Sequence, residues 1–113
     1  MTVGVDSSDF LEIAAEWRGM HLVVRLSGEL DLCSASQVEQ ALGEAAARTP
    51  TWVLLDLERV SFIDAAGIRA ILRGAEMLGP RLIVVGTPPR VMRIFTLAGV
   101  ADRLTFGSDP SGG

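Results

Sequence analysis

Residues 52–72 read WVLLDLERVSFIDAAGIRAIL. The almost wholly apolar run Trp52–Leu57 is what a strand covered on both faces requires. A connector follows, ERVSFID, whose Val60, Phe62 and Ile63 are expected to pack inward. Asp64 then stands where a helix starts, because apolar residues recur behind it at helical spacing: Ile68, Ile71, Leu72, Ala75 and Leu78. Arg69, Arg73 and Glu76 fall on the opposite, outer face. Leu78-Gly79-Pro80 closes the helix. The stretch is therefore a strand, an acid and a helix in immediate succession.

A second strand-to-helix unit follows. RLIVVG (81–86) is a buried strand, and TPPRVMRIFTLAG (87–99) is a helix with Thr87 as its cap and Pro88 or Pro89 in its first turn, where a missing N–H costs little. Its inward residues are Val91, Ile94, Phe95 and Ala98. ADRLTF (101–106) has the makings of a last strand. Upstream, HLVVRLSGEL (21–30) places Leu22, Val24 and Leu26 on one face and Val23 on the other, and Gly28 is expected to end it. DLCSASQVEQALGEAAART (31–49) enters a helix through a polar loop. Ser34 or Ser36 can cap it, Ser36 and Glu39 have capping-box spacing, and Val38, Ala41, Leu42 and Ala45 give its buried side. A weaker strand, Asp9–Glu16, precedes a hairpin turn at Gly19. Strands alternating with helices imply an α/β domain, a mixed sheet packed by helices through right-handed crossovers.

The chain has 113 residues, enough for one domain. Residues 1–106 are expected to form it. The Gly- and Ser-rich stretch 107–113 reads as a flexible tail, too polar to order itself. Apolar residues make up 49% of the chain, yet no apolar run reaches the length of a membrane span. MTVGVDSSDF carries acids where a secretory signal needs basic and then apolar residues. The expectation is a soluble, cytoplasmic protein with no membrane association. Ten basic residues, all arginine, stand against fourteen acids, for a net charge of −4. That balance argues against direct nucleic-acid binding, which relies on a basic face.

Catalytic arrangements are missing. There is no GxGxxG, no Walker loop and no GxSxG elbow. The single histidine, His21, reads as a strand-start residue, and with the single cysteine, Cys33, it falls short of a zinc ligand set. No metal, cofactor or catalytic residue is expected. Cys33 has no intrachain partner for a disulfide, and it is the candidate redox residue. At Asp64 the immediate role is to cap the helix, a contribution of about 1 kcal/mol. Small residues behind such a cap leave backbone N–H groups open at the positive helix end, where anions are favoured.

Three stretches together, GELDLCSAS (28–36), DLERVSFIDAAGIRAIL (56–72) and PPRVMRIFTLAG (88–99), resemble the anti-sigma factor antagonists of the STAS-domain family, from about Phe10 to Phe106. The resemblance implies a mixed sheet of four to five strands with helices mainly on one side. It also implies a non-enzymatic binding protein whose partner is an anti-sigma factor that doubles as a serine kinase. Binding by the antagonist frees a sigma factor, and phosphorylation of the antagonist ends the binding. The family's phosphoacceptor position maps to Ala65 and the hydroxyl residue after it to Ala66. The Asp at the family's binding surface maps to Asp31, and the Thr three residues on becomes Ser34. The implied partner-binding set is Asp31, Ser34, Asp64, Ala65, Ala66, Gly67, Arg69 and Arg73. Ala65-Ala66 reads three ways, as a good helix start, as a switch lacking its hydroxyl and as an engineered replacement of serine; Arg69 and Arg73 read equally as a solvated face. A scaffold subunit of a sensory or transport-linked complex, a small-ligand or nucleotide-binding module and a homodimer stay open.

Overall fold

A computed structural model describes residues 2–7 and 11–107. Its strands are β1 (Thr2–Ser7), β2 (Leu11–Arg18), β3 (His21–Leu30), β4 (Val53–Ile63), β5 (Leu82–Val85) and β6 (Thr105–Phe106). Its α-helices are α1 (Ala35–Ala47), α2 (Ala65–Leu78) and α3 (Pro89–Leu97). The strands lie side by side in chain order in one mixed sheet. β1 pairs with β2 and β2 with β3 in antiparallel fashion, while β3 to β6 are mutually parallel. Right-handed crossovers that always step in one direction must place α1, α2 and α3 on the same face. One core results, with Phe95, Leu42 and Ile71 from the helices packed on Leu26, Leu55 and Val84 from the sheet. No helix among the described residues is long and apolar enough to cross a membrane.

The mixed α/β fold is the expected one, with a sixth strand added at the edge by β1. Residues 9 and 10 of the expected first strand lie outside the described residues, as does the expected tail from 108 onward. Gly107 is still tied to the sheet, its N–H donating to the Val84 carbonyl at 3.0 Å.

The largest departure is in β4. All of the expected connector ERVSFID except Asp64 belongs to the strand, and β3 runs past Gly28 to Leu30. The β3–β4 register slips twice, from Arg25↔Asp56 to Ser27↔Arg59 and from Gly28↔Val60 to Glu29↔Phe62. Each slip inserts one residue into β4, so the buried positions Leu57, Val60 and Ile63 come three apart instead of two. Phe62, expected inside, is thereby turned outward and is 47% exposed. Gly28 does not end the strand; it takes φ 114°, which a side chain disfavours, and lets β3 continue beside the second bulge.

The helices follow their apolar periodicity, with local corrections. In α2 the buried face is Gly67, Ile68, Ala70, Ile71, Gly74 and Leu78, while Leu72 and Ala75 are only partly buried. The face is rotated because α1 packs beside it: a Cβ at Gly74 would overlap the Leu42 side chain. α1 follows Ser34, but no capping box forms. Glu39 instead accepts a 2.6 Å hydrogen bond from Arg73 of α2. In α3 the cap is Pro88, one residue later than expected. Ile94 is partly buried there and Ala98 is exposed.

Candidate protein-interaction site

β3 and β4 end together, with Leu30 paired to Ile63. The next residue of each is an acid, so Asp31 and Asp64 leave adjacent parallel strands at one level. The Asp64 N–H donates to the Leu30 carbonyl at 3.2 Å and joins the two exits. This is the carboxyl edge of the parallel strands, where open α/β sheets place their binding sites.

Asp64 is extended, and its Oδ1 accepts from the Gly67 N–H at 3.0 Å, the cap expected from the sequence. Its carbonyl accepts from Ile68 N–H at 2.9 Å. Asp31 is held by a tighter network. Its Oδ1 accepts from the N–H groups of Cys33 (3.0 Å) and Ser34 (3.3 Å), and its own N–H donates to Ser34 Oγ at 3.0 Å. The Ser34 hydroxyl donates to the Glu29 carbonyl at 2.9 Å. Ser34 is 0% exposed, so it shapes the loop from beneath and does not face solvent. Both carboxylates spend Oδ1 on backbone donors, and neither Oδ2 has a partner among the described residues.

This folding-in of Asp31 pushes the rest of the loop out. Leu32 is 77% exposed, and Cys33 is exposed beside it. Ala65, the first residue of α2, is exposed, Ala66 is partly buried, and Gly67 is buried. Arg69 is exposed and has no ion pair among the described residues, whereas Arg73 is engaged with Glu39. The strand exits thus bring Asp31 and Asp64 to one level, with Ala65 exposed directly behind Asp64 and Arg69 one turn further along α2. Two exposed apolar residues adjoin the acids in the chain: Leu32, which the sequence reading did not single out, and Phe62, which it placed inside. Leu32 could have been found as an apolar residue inside a polar helix-entry loop; Phe62 depends on the bulge. Two acids beside exposed apolar side chains suit a protein contact, the acids orienting a cationic group and the apolar residues supplying buried area.

Other groups lie elsewhere. His21 begins β3, with its ring 5.5 Å from that of Trp52. Among the described residues, no three His, Cys, Asp or Glu side chains come together as metal ligands do. The position of Cys33 carries a prediction. The folded protein should react with a maleimide without denaturation, and mild oxidation should give an intermolecular disulfide dimer, read on a non-reducing gel. A thiol silent until the protein is denatured would contradict the exposed position.

The family model described as "Mlab, STAS domain" matches residues 13–105. The chain is 31% identical over 94 residues to an anti-sigma F factor antagonist of Paenibacillus polymyxa, covering 80% of each. It is 35% identical over 57 residues to the anti-sigma-F factor antagonist RsfB of Mycobacterium tuberculosis, a match that spans 50% of this chain and about half (47%) of that relative. A solved anti-sigma factor antagonist from Mycobacterium paratuberculosis superposes with a TM-score of 0.80 at 27% identity, covering 93% of this chain and 92% of that one. The chain belongs to the STAS-domain family of anti-sigma factor antagonists.

Proposed function

We propose that this protein is an anti-sigma factor antagonist that binds an anti-sigma factor of the serine-kinase type, frees a sigma factor for transcription, and is not switched by phosphorylation at the start of α2. On this reading it is a cytoplasmic binding protein, not an enzyme. The observation that carries it is the pair of adjacent strand exits: Asp31 and Asp64 at one level, with Ala65 exposed at the first position of α2. A phosphoserine there would add about −1.5 to −2 charge beside both carboxylates and oppose a close contact. Ala65 and Ala66 accept no phosphate, so the surface stays in its binding state.

Co-purification with candidate anti-sigma factors, followed by titration calorimetry, is expected to give a stoichiometric complex that Asp31→Arg weakens. Intact mass after incubation with the kinase and ATP is expected to be unchanged. Ser61 and Ser36 are the exposed hydroxyls nearest the site in sequence, whereas Ser34 is buried. A one-phosphate gain mapped to Ser61 or Ser36 would mean that the switch has moved. Failure of every anti-sigma factor to bind would remove the antagonist reading.

A further inference from the structure

The outer face of α3 has no role in the site above. Val91 and Phe95 anchor the helix and are both 0% exposed. Opposite them, Arg90, Arg93 and Leu97 recur at intervals of three and four, which aligns them in one stripe. All three are exposed, and Leu97, at 80%, is the most exposed large apolar residue among those described. α3 contains no acid. Neither arginine has an ion pair or hydrogen bond among the described residues. Arg90 also sits in the first turn, where the positive end of the helix dipole disfavours a cation. Local helix stability therefore gives no reason for this placement.

We infer that this stripe is a second protein-docking surface, for an acidic amphipathic helix of a partner protein. Two guanidinium groups one turn apart match carboxylates at the same spacing, each able to accept a forked pair of N–H donors. Leu97 lies seven residues from Arg90, about 10 Å along the axis, and supplies the apolar anchor at one end. The net charge of −4 makes a phosphate backbone a poor occupant, because the rest of the molecule repels it.

The test needs no knowledge of the natural partner. A fluorescein-labelled helical peptide with Glu at i and i+3 and Leu at i+7 is titrated against the full chain by fluorescence anisotropy. Binding is expected at low salt and should weaken at about 0.3 M salt. Arg90→Glu with Arg93→Glu should weaken it at least about tenfold, and a peptide with Lys in place of Glu should bind that variant. Leu97→Ala should weaken binding at both salt concentrations. Melting curves confirm that each variant is folded. Equal affinity for wild type and the double variant, or no binding at low salt, overturns the inference. So does displacement of the peptide by duplex DNA or phosphatidylglycerol vesicles, which would make the stripe a general polyanion site. Self-association that is lost in the double variant would give the surface to a second copy and overturn it as well.

Discussion

Gly67→Val should unfold the site and lower the stability of the whole domain more than any other single change at this surface. A Cβ at Gly67 would overlap the backbone carbonyl of Leu30 and lie 2.8 Å from Leu30 Cγ and 3.0 Å from Ile63 Cγ1. A carbonyl cannot rotate away as a side chain can. The same Leu30 carbonyl accepts the hydrogen bond from Asp64 N–H, and Gly67 N–H donates to the Asp64 carboxylate. Pushing α2 off the sheet therefore breaks the cap and the link between the strand exits together. Ala at this position would gain up to about 1 kcal/mol of helix propensity. Overpacking costs of 1–3 kcal/mol or more oppose that gain and win here. Valine adds two methyl groups to the same overlap, so a loss of about 3 kcal/mol or more is expected. In a domain of this size that lowers Tm by roughly 10 °C or more. Thermal melts of wild type, Gly67→Ala and Gly67→Val should fall in that order. A Gly67→Ala variant more stable than wild type would mean that α2 can slide outward at no cost.

The helices were legible because their apolar residues repeat at 3.6, and Asp64 was legible as a cap because an acid preceded a clean helical stripe. β4 past Leu57 was not. Its two bulges space Leu57, Val60 and Ile63 by three, a period that belongs to neither a plain strand nor a helix, and Phe62 changed sides as a result. β1 was missed because TVGVDS offers only Val3 and Val5 as strong apolar strand formers, around a central glycine. At the site, Asp31 and Asp64 could be named one by one. Their common level is set by the pairing of Leu30 with Ile63, a contact between residues 33 positions apart that no local pattern encodes. Glu39 shows the same limit. Its spacing from Ser36 suggested a capping box, but a partner 34 residues away, Arg73, took the carboxylate.

Ala65→Asp and Ala65→Ser should leave the fold intact and separate at the level of binding. Ala65 is exposed at the first position of α2, so neither side chain meets the core. No acid occupies the first turn of that helix, and one placed there should add a few tenths of a kcal/mol through the dipole. Melting curves should therefore match wild type or exceed it slightly. Binding to the anti-sigma factor should respond in the opposite direction. On the proposed reading, an aspartate at 65 puts a third carboxylate beside Asp31 and Asp64, in a contact that has to shed water. An unpaired charge held in such a contact costs about 2–5 kcal/mol, or between thirty-fold and several thousand-fold in affinity. Serine brings a neutral hydroxyl that can keep its hydrogen bonds, so Ala65→Ser should bind as wild type does. Incubated with the kinase and ATP, it should then gain one phosphate and lose the complex, which the alanine protein should not do. The two variants and wild type are titrated against the same partner at the same salt concentration, with melting curves as the control. Equal affinity for wild type and Ala65→Asp, both folded, would place position 65 outside the contact. The missing hydroxyl would then be a matter of helix propensity alone.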